Sequence, residues 1–189
     1  VIISASRRAE KIVDAPASVS VISARKIANS AEAIDPMRHL MNVPGVTIQQ
    51  QTANSMNIEM RAGNGLFGTA VLPLLDYRII STPAARSNFS YQYGLSNLDL
   101  ERIEVIRGTN SALYGPGVEG GVVHFITKKA IDHPGTSAEL YTGNLSSRGG
   151  AVRHAHANKS KTFGYKINVK YNEGNDFGLD LAEDAERIS

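Results

Sequence analysis

The segment from Arg102 to Lys129 constrains the fold of this chain more than any other part of the sequence. It contains two runs rich in β-branched residues, 103–106 and 122–127, which indicate short strands. Five glycines lie between the runs, and the connection must hold them in backbone conformations that other residues avoid. The segment therefore predicts a strand, a tight turn, a short helical piece, a glycine turn and a second strand. The glycines assigned to these turns are Gly108, Gly115, Gly117, Gly120 and Gly121.

The same glycines match G-x-G-x-x-G at 115–120, a pattern typical of dinucleotide-binding sites. In those sites the glycines follow a strand and open a helix, whose N-terminus binds the pyrophosphate. Here they follow the helix-capable residues 110–114 and lead into a strand, and Pro116 lacks a backbone N–H. The order of elements argues against a nucleotide-binding enzyme and favours glycines that serve turns.

The motifs of this segment resemble the end of the plug domain of TonB-dependent outer-membrane receptors. They are Arg-Ile-Glu-Val-Ile-Arg-Gly at 102–108, Ala-Leu-Tyr-Gly at 112–115, the pair Gly120-Gly121, and Thr127-Lys128. Upstream, residues 16–22 resemble the first plug strand, and Val-Pro-Gly-Val at 43–46 resembles the stop after the plug helices. The resemblance covers residues 12–129, with several motifs in the family's order.

Composition narrows the classes of function. The net charge is only +2 and the Lys and Arg residues are dispersed, so the chain has no electrostatic footprint for nucleic-acid binding. Cysteine is absent, which leaves no disulfide framework and no Cys-based metal site. No G-x-S-x-G or H-E-x-x-H motif is present, so we predict no enzyme activity, no catalytic residue and no cofactor.

The ends of the sequence indicate a piece of a longer protein. No apolar run reaches the ~20 residues that a transmembrane helix needs. No signal peptide is visible, and the chain starts directly in the strand-like Val-Ile-Ile at 1–3. We therefore expect a fragment.

Patterns before residue 130 predict an α+β unit, a small mixed sheet with helices packed on it. The strand candidates are residues 18–22, 46–48, 57–61 and 71–75. Pro73 cannot donate a ladder hydrogen bond, so the last of these is expected to be an edge or bulged strand. Residues 1–130 are assigned to the plug domain.

Two short helices are predicted between the first two strands. Ser23 is the expected N-cap of a helix over 24–29. Asp35 is the expected cap of a second helix over 36–41, with Pro36 in its first turn. Met37, Leu40 and Met41 follow the i, i+3, i+4 spacing and are expected to face the core.

After a linker at 130–135, apolar and polar side chains alternate in strand-like segments. The clearest covers residues 163–172, with weaker candidates at 138–143 and 150–158. A period of two over ~10 residues matches a transmembrane β-strand with lipid on one side, although an amphipathic strand of a soluble sheet looks the same locally. Because a plug-like domain precedes them, residues 131–189 are expected to hold the first antiparallel strands of a transmembrane β-barrel. The barrel has 22 strands in the family, and this piece is too short to close one. Residues 179–189 are charged and helix-capable, and we assign no function to them.

The resemblance implies a role for two arginines, Arg61 and Arg107, which both end a predicted strand. In the family, the arginines at these motifs pair with barrel glutamates and seat the plug. A planar guanidinium suits that role because it can hold a carboxylate through two hydrogen bonds. The alternative is a pair of exposed strand-end arginines with weak surface contacts. Between them, Tyr77 replaces the glycine of the family's Leu-x-Asp-Gly hairpin, so we expect a turn without its easy positive φ.

Two segments are candidates for ligand contact in the apical loops, which face outward in the family. Residues 86–94 mix Tyr, Ser, Asn and Arg, the chemistry of adaptable recognition loops, and residues 63–68 form a second candidate. The aromatic residues at i, i+2 and i+4 of the first segment are more typical of one face of a strand packed inside the protein. The ligand-binding candidates are Phe67, Arg86, Phe89, Tyr91 and Tyr93.

His154 and His156 would lie on one face of a strand and could bind a metal. No third ligand is evident nearby, so we predict no metal site and interpret both as polar residues facing the barrel lumen.

The function implied by the resemblance is import of a scarce solute across the outer membrane through a plugged barrel, with an iron–siderophore as the commonest cargo. The implied partners are a small-molecule ligand such as a metal chelate, and TonB, which would engage a segment before Val1. Cobalamin, other metal chelates and oligosaccharides are also carried in the family, and plug sequence does not choose among them. The alternative is a soluble periplasmic or secreted binding module with a plug-like core.

Overall fold

A computed structural model of the chain describes residues 18–30, 35–52, 55–61, 70–82, 90, 93–108, 114–115 and 118–175. The strands of its N-terminal part are β1 (Ser18–Ser23), β2 (Val46–Thr52), β3 (Ser55–Met60), β4 (Val71–Leu75), β5 (Arg78–Ile79), β6 (Leu100–Arg107) and β7 (Gly121–Thr127). Five of them form a mixed sheet in the order β1-β6-β7-β4-β5, in which β4 and β7 run parallel. Strands β2 and β3 form a separate hairpin. The predicted small mixed sheet is confirmed.

Both predicted helices are present, and both predicted caps are made. Helix α1 (Ala24–Ala28) begins after Ser23, whose Oγ accepts a hydrogen bond from the Lys26 N–H at 3.4 Å. The second helix (Pro36–Asn42) begins after Asp35, whose Oδ1 accepts from the Met37 N–H at 2.9 Å.

The second helix is a 3₁₀ helix, which corrects the prediction for Met41. Met37 and Leu40 are fully buried, whereas Met41 is 58% exposed. A 3₁₀ helix has three residues per turn, so residues i and i+3 lie directly above each other while i+4 lies about a third of a turn away. The i+4 position therefore points out of the core that the α-helical spacing predicted.

The apolar core lies on both faces of the central strands β6 and β7. The larger cluster joins Ile103, Val105 and Phe125 to the 3₁₀ helix and the β2–β3 hairpin. A smaller cluster on the other face joins Ile106 and Val122 to neighbouring side chains. Burial of this kind contributes roughly 1.5–3 kcal/mol per large side chain. The central strands thus form the rigid part of the N-terminal domain.

Pro73 is not in an edge strand, and no bulge marks its position. Strand β4 is second from the edge, because β5 pairs with it through Leu74 and Leu75. The Pro73 carbonyl accepts a hydrogen bond from the Ile80 N–H at 3.2 Å, on the β5 side. The N–H that proline lacks would also point toward the β5 side, next to the two residue pairs of the β4–β5 ladder. The proline therefore removes no hydrogen bond between β4 and β7.

The hairpin turn between β4 and β5 keeps positive φ angles without glycine, which overturns the expectation for Tyr77. Asp76 has φ 45° and Tyr77 has φ 69°, values typical of the turn that joins two-residue hairpins. Strand β7 holds the turn. Asp76 accepts hydrogen bonds from the N–H and Oγ1 of Thr127 at 2.9 and 2.6 Å. The Tyr77 N–H donates to His124 Nε2 at 3.1 Å, and the two rings meet edge-on at 4.4 Å.

Protonation of His124 is expected to destabilise this domain as the pH falls. The imidazole is fully buried, and its Nε2 accepts the Tyr77 hydrogen bond. Burial lowers the pKa of His124 from 6.5 to about 4, partly offset by the Glu104 carboxylate. Between these two values the unfolded state binds more protons than the folded state. The contribution of neutral His124 to the free energy of unfolding is therefore fully present above about pH 6.5. It is lost as the pH falls toward 4, and the loss is on the order of 3 kcal/mol.

Urea unfolding at pH 7.5 and pH 4.5, compared between the parent and His124→Gln, measures this effect. Other groups titrate equally in both proteins, so the difference between them isolates His124. Identical pH slopes for the two proteins would show that His124 is not the group responsible.

The C-terminal part is a three-stranded antiparallel sheet in the order β10-β9-β8, which we call the C-terminal sheet. Its strands are β8 (Gly135–Thr142), β9 (Arg148–Ala157) and β10 (Gly164–Glu173). The alternation predicted for residues 163–172 is present, and its apolar side chains at 165, 167, 169 and 171 are 44–62% exposed. We call this the outward face. On the opposite face, Ala151, Arg153 and Ala155 are buried. Among the described residues, every helix is too short or too polar to cross a membrane.

The strand register corrects the orientation predicted for His154 and His156. His154 pairs with Ile167 and His156 with Tyr165, and directly opposed residues share a face of the sheet. Both imidazoles are therefore on the outward face with the apolar side chains. The prediction of a lumen-facing pair was wrong, because the sequence of β9 alone does not say which of its two alternating sets joins the apolar set of β10.

Candidate functional site

A buried carboxylate joins the N-terminal domain to the C-terminal sheet. Ser96 caps a short 3₁₀ helix (Asn97–Asp99), and its Oγ accepts from the Leu98 N–H at 3.2 Å. This helix presents Asp99 immediately before β6. Asp99 Oδ1 accepts from Arg153 Nε of β9 at 2.7 Å, and Oδ2 accepts from Lys166 Nζ of β10 at 2.7 Å. We call Asp99, Arg153 and Lys166 the Asp99 cluster.

Both cations of the cluster also bind backbone carbonyls and a hydroxyl in the segment between the end of β7 and the start of β8. Arg153 Nη1 donates to the His133 carbonyl at 2.9 Å. Lys166 Nζ donates to Thr127 Oγ1 at 2.7 Å and to the Lys128 carbonyl at 3.1 Å. The Lys128 N–H donates in turn to the Asp99 carbonyl at 2.7 Å. The cluster therefore ties two strands of the C-terminal sheet to the point where the N-terminal domain ends.

The cluster is buried enough that its geometry matters energetically. The side chains of Asp99 and Arg153 are only 7% and 4% exposed, and that of Lys166 is 31% exposed. Removing a charge from water costs several kcal/mol, and only good geometry with further hydrogen bonds offsets that cost. The surroundings are cationic, since burial and the nearby Arg153 lower the pKa of Lys128. Asp99 is the carboxylate that pairs with both cations of the cluster, while Glu101 and Glu139 partly offset the effect of the positive charge on Lys128.

A second contact nearby is also polar. Lys170 Nζ of β10 donates to the Leu95 carbonyl at 3.3 Å. The junction between the N-terminal domain and the C-terminal sheet therefore includes ionic and carbonyl contacts rather than apolar packing alone. Such contacts give register between two bodies and tolerate separation in water better than an apolar interface would.

Arg107 binds groups of its own domain. Its Nε and Nη2 donate to Ser18 Oγ at 3.2 and 2.9 Å, and its Nη1 donates to Ser20 Oγ at 2.8 Å and to the Pro44 carbonyl at 3.1 Å. Within the described part of the chain, Arg107 forms no ion pair with a carboxylate. Arg107 therefore fastens β1 and the turn at Pro44 to β6, and pairing with a barrel glutamate stays a prediction.

Arg61 lies close to the residue that follows Arg107. It is exposed and has φ 57°, a left-handed conformation just after β3. A Cβ placed on Gly108 would be 3.1 Å from Arg61 Nη1. The structure thus brings Arg61 to the end of β6, where Arg107 also lies. The pairing of Arg61 with a barrel carboxylate is likewise a prediction.

The predicted turn glycines serve two different needs. Gly108, Gly115 and Gly121 have φ angles of 109°, 92° and 153°, which side chains rarely allow. Gly120 lies outside that conformational region, and what it requires is space, because a Cβ there would be 2.6 Å from the Met60 carbonyl oxygen. Gly117 lies outside the described residues.

Among the ligand-binding candidates, the structure describes only Tyr93 and places it in the core. Tyr93 is 5% exposed, and its ring centroid lies 6.2 Å from that of Phe125. Burial raises the pKa of Tyr93, with a further contribution from Asp35. Tyr93 therefore packs in the core, as that alternative expected, although it lies in a bend and not in a strand, and it is corrected from ligand contact to core. The remaining candidates lie outside the described residues: Phe67, Arg86, Phe89 and Tyr91.

The described residues contain no group of three or more His, Asp or Glu side chains arranged to hold a metal. His154 Nδ1 is hydrogen-bonded to Thr136 Oγ1 at 2.8 Å. Both histidine rings lie about 6 Å from the Tyr165 ring, at 6.0 and 5.8 Å.

Comparisons with known proteins agree with this arrangement. Residues 11–122 match the TonB-dependent Receptor Plug Domain family. The ferric enterobactin receptor PirA of Pseudomonas aeruginosa is 32% identical over 165 residues, covering 78% of this chain and 21% of that protein. The vitamin B12 transporter BtuB of Vibrio vulnificus is 31% identical over 166 residues, covering 86% of this chain and 25% of that protein. The chain thus spans about a fifth to a quarter of the length of these relatives.

The fold extends beyond the plug into the C-terminal sheet. The structure of the alcaligin outer-membrane receptor FauA from Bordetella pertussis matches with a TM-score of 0.72 at 17% identity, over 93% of this chain and 30% of that one. A match of that coverage includes the strands that follow the plug. The chain belongs to the TonB-dependent receptor plug domain family, and it carries a plug followed by antiparallel strands of the kind that form the wall of outer-membrane receptors.

Proposed function

We propose that this chain is the plug and first barrel strands of a receptor that imports a scarce solute through a plugged β-barrel of the outer membrane. The observation that carries the proposal is the position of the Asp99 cluster between a plug-type domain and a sheet with an exposed apolar outward face. The boundary that we propose lies at residue 130, in the turn between β7 and β8. A plug domain of residues 1–130 would then be followed by barrel strands in residues 131–189.

We propose a ferric siderophore as the solute and TonB as the partner that supplies energy. Relatives named for ferric enterobactin support the first choice, and the relative named for vitamin B12 makes cobalamin the second candidate. The roles of Arg61 and Arg107 in seating the plug, and of Phe67, Arg86, Phe89 and Tyr91 in ligand contact, belong to the same proposal.

In this proposal, the contacts between the plug and the wall must fix the plug in place and must also break when the plug moves. The Asp99 cluster and the Lys170 contact join plug to wall through charges and carbonyls, which water can replace when the plug moves. The apolar packing, in contrast, is concentrated inside the plug around β6 and β7. Plug movement relative to the wall would therefore cost less than unfolding of the plug sheet.

The exposed outward face disfavours a soluble binding module. Leu140 of β8, Phe163 just before β10, and Ile167, Val169 and Tyr171 of β10 are all more than half exposed, and the pairing through β9 puts Leu140 on the same face as Tyr171. A contiguous apolar surface of this kind is unusual in water and typical of a lipid or protein contact. A soluble module would have to cover it with another partner.

Uptake by cells that lack other siderophore receptors tests the proposal. The complete receptor gene is expressed in such a strain, and uptake of radiolabelled iron is measured with several ferric siderophores and, separately, uptake of labelled cobalamin. We expect TonB-dependent uptake of one ferric siderophore. Receptor that is folded in the outer membrane but imports neither class of solute would contradict the assigned cargo. Recovery as a soluble protein would contradict the receptor itself.

A lysine on the outward face is expected to destabilise the receptor. Val169→Lys places a charge among side chains assigned to lipid, midway along β10, and such changes cost about 2–4 kcal/mol near the middle of a bilayer. Ser160→Lys is the matched control, since it adds the same charge to the exposed turn between β9 and β10. The yield of folded receptor in outer membranes and its urea stability are the measurements. Equal behaviour of the two variants would show that the outward face does not meet lipid.

A further inference from the structure

The two ends of the C-terminal sheet differ in charge. Between Glu139 and Glu173 the sequence contains no acidic residue and six Lys or Arg residues. At one end, Arg148 at the start of β9 is paired with Glu173 of β10. At the other end, the β9–β10 turn carries Lys159 and Lys161, and in the described part of the chain neither lysine forms an ion pair. Positive charge is therefore uncompensated at one end only.

The β9–β10 turn is held in a fixed shape by Asn158. The Asn158 Oδ1 accepts from the N–H groups of Thr162 and Phe163 at 2.9 and 3.1 Å. The Asn158 N–H donates to the Phe163 carbonyl at 3.0 Å, and the Lys161 N–H donates to the Asn158 carbonyl at 3.0 Å. Lys161 has φ 54°, a strained conformation for a residue with a side chain. Both lysines are thus presented, exposed, on an ordered turn.

The outward face changes character as it approaches this turn. Along β10 it runs from Tyr171 through Val169 and Ile167 to Tyr165, and across the last two positions stand His154 and His156. The His156 ring lies 5.8 Å from the Tyr165 ring. Aromatic rings beside polar groups are typical of the level at which lipid headgroups begin. The next residues outward are those of the basic turn.

We propose that the β9–β10 turn, with His156 and Tyr165 beneath it, binds the phosphate of an anionic phospholipid headgroup. Lys159 and Lys161 supply the positive charge, the His156 ring supplies a hydrogen-bonding group, and Tyr165 packs against the lipid glycerol region. Asp132, an exposed acidic residue of the turn that precedes β8, forms no ion pair with either lysine in the described part of the chain. A diacyl phospholipid suits the site better than a free anion, because the apolar outward face continues directly from it.

This inference rests on the proposed function, since it requires the outward face to meet a bilayer. Its test uses the complete receptor, purified in detergent and checked for folded barrel. Phosphatidylglycerol and phosphatidylcholine are titrated separately, and retained lipid is counted by native mass spectrometry. The variant Lys159→Gln/Lys161→Gln removes both charges. The matched control, Arg25→Gln/Lys26→Gln, removes two charges from exposed residues of α1 in the plug.

We expect the parent and the control to prefer phosphatidylglycerol, and the turn variant to lose about fivefold in affinity per lysine, or about 25-fold for the pair. Equal retention of phosphatidylglycerol by the turn variant and the control would overturn the proposal. Displacement of the lipid by inorganic phosphate at the same concentration would also overturn it, because the site would then bind a free anion. A receptor that folds and retains lipid without this preference refutes only the headgroup site. A receptor that binds neither lipid refutes the membrane placement itself.

Discussion

Replacing Asp99 with asparagine is expected to loosen the plug from the barrel wall by about 3–5 kcal/mol. The substitution keeps the shape of the side chain and removes its charge. Arg153 would then remain almost fully buried without its carboxylate, and Lys166 would lose its ionic partner. Removing one partner of a buried ion pair is costly because the remaining charge stays out of water without an opposite charge to stabilise it. The effect should exceed that of any surface ion pair in the chain.

Thiol labelling measures this loosening. The chain contains no cysteine, so Ala151→Cys places a reporter at a buried position of β9, on the face of the C-terminal sheet that carries Arg153, where separation of the plug from the wall would expose it. The rate of labelling is followed in the complete receptor, without other reactive thiols, as urea is increased. We expect labelling of Asp99→Asn at a clearly lower urea concentration than in the parent.

Glu101→Gln is the matched control for Asp99→Asn. Glu101 contacts Arg102 at 3.0 Å, but its side chain is 38% exposed, and exposed pairs contribute at most about 1 kcal/mol. A further variant, Asp99→Asn with Arg153→Met, removes the stranded cation and should recover part of the loss. If Asp99→Asn labels at the same urea concentration as Glu101→Gln, the Asp99 cluster does not hold the plug to the wall.

Local rules in the sequence were enough for much of the plug. Ser23 and Asp35 cap their helices as predicted because a cap depends on only a few neighbouring residues. The alternation at 163–172 likewise specified a strand with one apolar face. The error at Met41 shows the limit of such rules, since a change from α to 3₁₀ geometry moved one side chain of an otherwise correct helix into solvent.

The candidate site could not be predicted, because it depends on register between distant segments. Asp99, Arg153 and Lys166 are 54 and 67 residues apart in the chain, counted from Asp99. No local pattern marks Asp99 as the partner of two cations. The only indication in the sequence was the polar face of β10, which includes Lys166 and Lys170. Two lysines on a face that is covered by protein need acceptor groups nearby. The orientation of His154 and His156 failed for the same reason, as pairing with β10 decides it.

Replacing Gly121 with alanine is expected to destabilise the plug by about 3 kcal/mol or more. Gly121 begins β7 and lies between β6 and β4, opposite Arg107 and Val71. A Cβ there would be 2.2 Å from the Ile106 carbonyl oxygen, well inside contact distance. Since that oxygen belongs to the backbone of the central strand β6, relief requires the strands to move apart. The φ of 153° adds strain for any side chain.

Gly115→Ala separates these two causes. Gly115 has φ 92°, so alanine is strained there too, but no atom of the described residues lies within 4 Å of the added Cβ. We expect a loss of about 1–2 kcal/mol for this control, from backbone strain alone. Labelling of Val105→Cys, a fully buried position of β6 that reports unfolding of the plug sheet, under increasing urea gives both values. Equal losses would show that β6 and β7 separate freely at Gly121. A larger loss for Gly121→Ala would show that close strand packing at the end of β6 is required. Arg107 lies directly opposite, so that packing also fixes the position from which its guanidinium reaches Ser18, Ser20 and Pro44.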